Sequence, residues 1–126
     1  MSLWFFMTIS TLFIPSLMFF LGRYLKKGFP RNINNVFGYR TSMSMKNKET
    51  WEFANKYCGK VWTLVGRWMF LISLIIMLIF MGETKNFVLN LGSIMLLVQC
   101  GFLVATIFPV ERALRKNFDP LGRRKS

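Results

Sequence analysis

Apolar residues in this chain are massed into blocks rather than spread at amphipathic intervals. Leu3 to Gly22 holds 20 positions without a charge, Val61 to Gly82 is interrupted by Arg67 alone, and Phe87 to Val110 runs for 24 residues uncharged. At about 1.5 Å rise per residue, a 20-residue helix matches the roughly 30 Å hydrocarbon core of a bilayer. The pattern predicts three transmembrane helices over 3–22, 61–82 and 87–110, a polar loop over 23–60 and a polar tail over 111–126 in one membrane domain.

Local signals refine these elements. Pro15 inside the first span predicts a kink whose freed backbone groups neighbouring helices must satisfy. Trp4 and Tyr24, at opposite ends of that span, suit the interfacial aromatic belts. Pro30, Asn32, Asn34, Asn35 and Gly38 disfavour regular structure, after which Asn47 offers an N-cap and Glu49 a favourable first-turn charge. From Lys48 onward, Trp51, Ala54, Cys58, Val61 and Val65 recur at helical spacing, with Glu52, Lys56, Lys60 and Arg67 on another side. The fold class expected is an all-α membrane protein of three transmembrane helices. An interfacial amphipathic helix precedes the second span and either runs into it or bends at Gly59.

Charge sets the orientation. Seventeen Lys and Arg oppose five Asp and Glu, and nine of the basic residues fall between Gly22 and Lys60, with six more after Val110. Positive-inside reasoning places loop and tail in the cytoplasm and the N-terminus outside, which requires an odd number of spans. The first span lacks the basic start and small-residue cleavage pattern of a signal peptide.

Few polar groups enter the spans. Arg67 lies about 10 Å deeper than Lys60 by helix rise; it either snorkels to the headgroups or pairs with Glu111 at the end of the third span. Ser73 and Gln99 reach similar depth in antiparallel helices and are placed to hydrogen-bond. Gly59, Thr63, Gly66 and Ser73 form a small-residue stripe, and Gly101 with Ala105 a small-xxx-small pair, both read as packing surfaces. Cys58 and Cys100 fall at different depths and should remain thiols, since a disulfide needs Cα atoms within about 7 Å.

Histidine is absent, and two distant thiols with five carboxylates make no metal or haem set, no nucleophile–base pair and no nucleotide-binding glycine pattern. Neither an enzyme nor a cofactor is expected. Anionic lipid headgroups, rather than nucleic acid, are the nearest partner for the basic segments.

The loop then carries a resemblance. "FGYRT", "SMKN", "TW" with "FAN", and "GK" followed by Trp62 resemble, in order and spacing, the signature loop of the SdpI family of bacterial membrane proteins, and "FPVERALRKNFDPLGRR" is similar to the family's usual end. The resemblance implies a bacterial cytoplasmic-membrane protein conferring immunity to a secreted antimicrobial peptide toxin. It also implies, from the namesake, a receptor role toward a soluble transcriptional regulator. The motif positions are Asn35, Gly38, Tyr39, Arg40, Thr41, Ser44, Asn47, Trp51, Asn55 and Gly59, to which the intramembrane Arg67 is added as a candidate binding residue. Physically, Gly38 permits a positive φ, Tyr39 and Trp51 suit an interface, and Arg40 can grip phosphate or carboxylate. The motif reads equally as a structural clasp or as a ligand site. A third reading is a peptide or lipid transporter component working as a homo-oligomer, because three helices alone enclose little space.

Overall fold

The computed structural model describes residues 2–28, 30–34 and 38–125. Its elements are α1 (Ser2–Lys26), α2 (Lys48–Ile79), α3 (Lys85–Ala105) and α4 (Ile107–Asn117). Among the described residues, extended pairing is confined to a single bridge between Phe118 and Arg124. Three helical stretches, Ser2–Lys26, Lys48–Ile79 and Lys85–Asn117, are long and apolar enough to cross a membrane. Phe6, Ile9, Phe13, Phe20, Leu97 and Phe108 are each more than half exposed, an outer surface suited to lipid rather than water.

The amphipathic segment and the second span are one helix. Of the two arrangements expected, the chain adopts the continuous one, with Asn47 opening a 32-residue α2: its side chain accepts the Thr50 N–H while Thr50 Oγ1 accepts the Asn47 N–H. Gly59 is not a bend but a point of contact. A Cβ there would fall on the backbone N of Lys26 and lie 2.6 Å from the Gly22 carbonyl oxygen.

This contact is repeated along an antiparallel α1/α2 pair. A Cβ on Gly22 would lie 2.7 Å from Thr63 N, and one on Gly66 would lie 2.7 Å from Phe19 N. The stripe of small residues on α2 is therefore the surface on which α1 lies, and the backbones approach as closely as glycine allows. At the far end of the pair, Trp4 is buried rather than belt-forming, and its indole N–H donates to the Met77 carbonyl at 2.9 Å. Gly101 differs: a Cβ there would meet nothing within 4 Å, and both Gly101 and Ala105 are exposed, so this pair packs on no part of the chain described.

Helix α1 runs through Pro15 without interruption. Proline has no N–H for the carbonyl four residues back, and here that carbonyl, Thr11 O, accepts Gln99 Nε2 from α3 at 2.7 Å. The same amide donates to Ser73 Oγ at 2.9 Å, making the expected link between α2 and α3. Gln99 thus ties all three spans at one level.

The third span is divided at Thr106, a break not expected from the length of the uncharged block. Pro109 explains it, since Ala105 lies four residues earlier and loses its helical donor. Beyond the break, Val110, Leu114 and Phe118 are buried against Leu25, Ala54, Cys58 and Tyr39. The tail then folds back on the start of α2: Asn47 Nδ2 donates to the Gly122 carbonyl at 2.7 Å and Arg124 pairs with Glu49 at 2.6 Å. Loop and tail lie together at one end of the bundle, as their shared charge requires. Cys58 is buried and Cys100 exposed, both as thiols.

Candidate functional site

The loop entering α2 is held from within. Gly38 adopts φ 107°, and a Cβ there would lie 2.8 Å from Asn55 Oδ1 and 3.1 Å from the Trp51 ring, so both dihedral and space call for glycine. The next residue's backbone is then fixed, with the Tyr39 N–H donating to Asn55 Oδ1 at 2.7 Å. Asn55 is itself oriented by its amide, which donates to the Trp51 carbonyl at 2.9 Å. Trp51 is fully buried, and its indole N–H donates to the Pro30 carbonyl at 2.8 Å. It anchors the loop rather than riding at a membrane interface.

A short hydroxyl network closes the turn. Ser44 Oγ accepts the Thr41 N–H at 2.8 Å and lies 3.0 Å from the Tyr39 carbonyl, to which it donates, while Thr41 Oγ1 accepts the Ser44 N–H at 3.2 Å. Thr50 Oγ1 donates to the Ser44 carbonyl at 3.0 Å, joining the turn to the helix cap. Ser44 thus braces the turn, and Asn47 caps the helix.

Tyr39 reaches across the chain to the third span. Its hydroxyl donates to Glu111 Oε1 at 2.8 Å. Burial, and then the bond to Glu111, hold the Tyr39 hydroxyl well above the usual phenol range. This corrects the expected partner of Glu111. Arg67 makes no ion pair among the described residues and sits instead with its guanidinium carbon 5.8 Å from the Phe19 ring centroid, exposed on the bundle's outer face. The physical reason is depth as well as direction: Trp62 bonds Thr106, so Arg67 lies beyond that level toward the far end of the bundle and Glu111 beyond it toward the loop, about 15 Å apart by helix rise, and Arg67 faces Phe19 of α1.

The sequence candidates therefore separate. Gly38, Tyr39, Thr41, Ser44, Asn47, Trp51 and Asn55 converge in one clasp; Gly59 lies deeper, under α1, and Arg67 lies outside it. Asn35 falls outside the described residues. Arg40 differs from the clasp residues in being exposed. Its Nε donates to the Asn34 carbonyl at 3.0 Å, which directs the guanidinium along the loop. Sequence reasoning missed the Tyr39–Glu111 bond and that of Trp62 Nε1 to Thr106 Oγ1 at 3.0 Å. The signal available for the second was Trp62 at the end of the motif.

Above the clasp lies a cleft of about 400 Å³. Leu21 and Leu25 of α1, Cys58 and Trp62 of α2, and Leu103, Val104 and Ile107 of the third span form its walls, and Gly38 to Thr41 form its polar end. Val104 and Ile107 are exposed at its rim. Among the described residues no three His, Cys, Asp or Glu side chains gather as metal ligands would. What the cleft presents is an apolar slot with a backbone turn and Arg40 at one end.

Three spanning-length helices, clasped at one end by a basic loop over an apolar slot, define a small multi-pass membrane protein. The chain belongs to the SdpI/YfhL protein family, whose model matches residues 31–110. It is also 40% identical over 50 residues to the uncharacterized protein YfhL of Bacillus subtilis (strain 168), a match covering 40% of this chain and 46% of that relative's length. No solved structure matches it.

Proposed function

We propose that this protein is an immunity protein of the bacterial cytoplasmic membrane, protecting its cell from a secreted membrane-active peptide by binding that peptide within the bilayer. The observation that carries the reading is the cleft bounded by the family's signature residues, apolar along its walls and bordered by Arg40. Apolar side chains of a membrane-inserted peptide would enter between α1, α2 and the third span, and Arg40 would hold a carboxylate at the end of the slot. The clasp residues would set the position of that guanidinium. In this reading the N-terminus faces outside, loop and tail face the cytoplasm, and binding alone protects, without turnover.

The test is deletion of the gene, followed by exposure to the secreted peptide of the producing strain. Loss of protection, restored by the intact gene, supports immunity. Unchanged sensitivity with altered transcription of neighbouring genes would favour a second reading, in which a soluble regulator docks on the basic surface that loop and tail build together. That surface has a structural basis in the bonds from Asn47 to Gly122 and from Glu49 to Arg124.

A further inference from the structure

On the outer face of the α1/α2 pair, away from the cleft, two arginines share one aromatic ring. The guanidinium carbons of Arg23 and Arg67 each lie 5.8 Å from the Phe19 ring centroid, so the two charges are no farther apart than twice that distance. Both residues are exposed. Arg23 is the first charge after the uncharged stretch of α1 and marks the hydrocarbon boundary, while Arg67, level with Phe19 through the Gly66 contact, reaches toward it from α2.

Among the described residues no carboxylate compensates them. Glu49, Glu52 and Asp119 pair with Arg124, Lys56 and Arg123, Glu111 accepts from Tyr39, and Glu83 lies at the opposite end between α2 and α3. Two guanidinium groups at a hydrocarbon boundary without an internal anion attract one from outside. From the same place a groove of about 440 Å³ runs toward the bilayer middle, lined by Ser16, Phe19, Phe20, Phe70 and Leu71 beside Arg67. Cations at its mouth and apolar walls beyond have the polarity order of a phospholipid.

We propose that Arg23 and Arg67 grip the phosphate of an anionic phospholipid whose acyl chain lies in the Ser16–Phe20–Phe70–Leu71 groove. The forked donors of arginine suit a phosphate bridged between two side chains. The Phe19 ring, 5.8 Å from both guanidinium carbons, holds them near one another without neutralising them. This site is separate from the signature loop and does not depend on what the loop binds.

Native mass spectrometry of the detergent-purified protein with phosphatidylglycerol and chain-matched phosphatidylcholine tests it. Wild type should retain phosphatidylglycerol preferentially, each of Arg23→Gln and Arg67→Gln should weaken retention about fivefold, and the double variant should weaken it on the order of twentyfold. Both side chains are exposed, so the single variants should elute as folded protein and carry the test even where the double variant does not. Undiminished phosphatidylglycerol retention in the folded variants would overturn the proposal. So would displacement of the lipid by millimolar inorganic phosphate, which would make this a site for free anions.

Discussion

Gln99 donates to the Thr11 carbonyl at 2.7 Å, the carbonyl that Pro15 leaves without a helical donor. A defect in one transmembrane helix is thereby repaired by a side chain of another. Buried backbone acceptors in hydrocarbon have no water to turn to, so the repair fixes α3 against α1 at a set depth. Gln99→Leu should lower stability by about 0.6 kcal/mol, the average for intramembrane hydrogen bonds, and by no more than about 1.7 kcal/mol per bond lost. Pro15→Ala returns to Thr11 its own donor and should make Gln99→Leu less costly. A double-mutant cycle on thermal unfolding in detergent would show this as a nonzero coupling; additive losses would mean that Gln99 acts through Ser73 alone.

Gly59 of α2 and Gly101 of α3 should respond oppositely to enlargement. Gly59 faces the α1 backbone at contact distance, whereas nothing lies within 4 Å of a Cβ on Gly101. Gly59→Leu should therefore force α1 away and destabilise by about 1–3 kcal/mol or more, while Gly101→Leu should leave the melting temperature unchanged or raise it, as leucine forms helix better than glycine. Loss of folded protein in the Gly101 variant would indicate a packing partner from another molecule.

Tyr39 makes the clasp sensitive to alkali. Its hydroxyl is held above the ordinary 10.0 by burial and by the bond to Glu111. Below pH 10 both folded and unfolded chains keep the proton. Above it the unfolded chain releases the proton while the folded one retains it, so the stability the neutral phenol provides is lost as pH rises toward the folded-state value. Ultraviolet titration should show one of the three tyrosines ionising only as the protein unfolds. Tyr39→Phe should remove that component, and its persistence in the variant would rule out Tyr39 as its source.

What the sequence made legible was whatever depends on one dimension. Lengths of uncharged chain gave the spans, charge placed loop and tail at one end, and residue counts brought Ser73 level with Gln99. Asn47 and Gly38 were readable because capping and positive φ are local requirements. Rotation about a helix axis was not legible. The Gly101–Ala105 pair has the spacing of an interface without facing one, and Arg67 faces Phe19 of α1, about 15 Å by helix rise from the level of Glu111. Trp51 was ambiguous for a related reason: an aromatic at a helix start suits an interface or a buried anchor, and only the fold of the preceding loop, which brings the Pro30 carbonyl to its indole, decides.

Arg40 separates the two roles of the signature loop. Asn55 and Trp51 hold the loop through buried hydrogen bonds, so Asn55→Leu or Trp51→Ala should reduce the amount of folded protein together with any protection it confers. Removing the Asn55 side chain leaves the Tyr39 N–H unpaired and out of water's reach, at about 1–3 kcal/mol. Arg40 is exposed, and its bond to the Asn34 carbonyl lies on the surface. Arg40→Ala should therefore keep membrane abundance and melting temperature near wild type while abolishing protection, and Arg40→Lys should restore part of it by returning the charge without the fork. Abundance and protection, measured on the same cells, decide the matter. If they fall in proportion for Arg40→Ala as they do for Asn55→Leu, the loop is a clasp throughout and the peptide's polar contact must be sought elsewhere along the cleft.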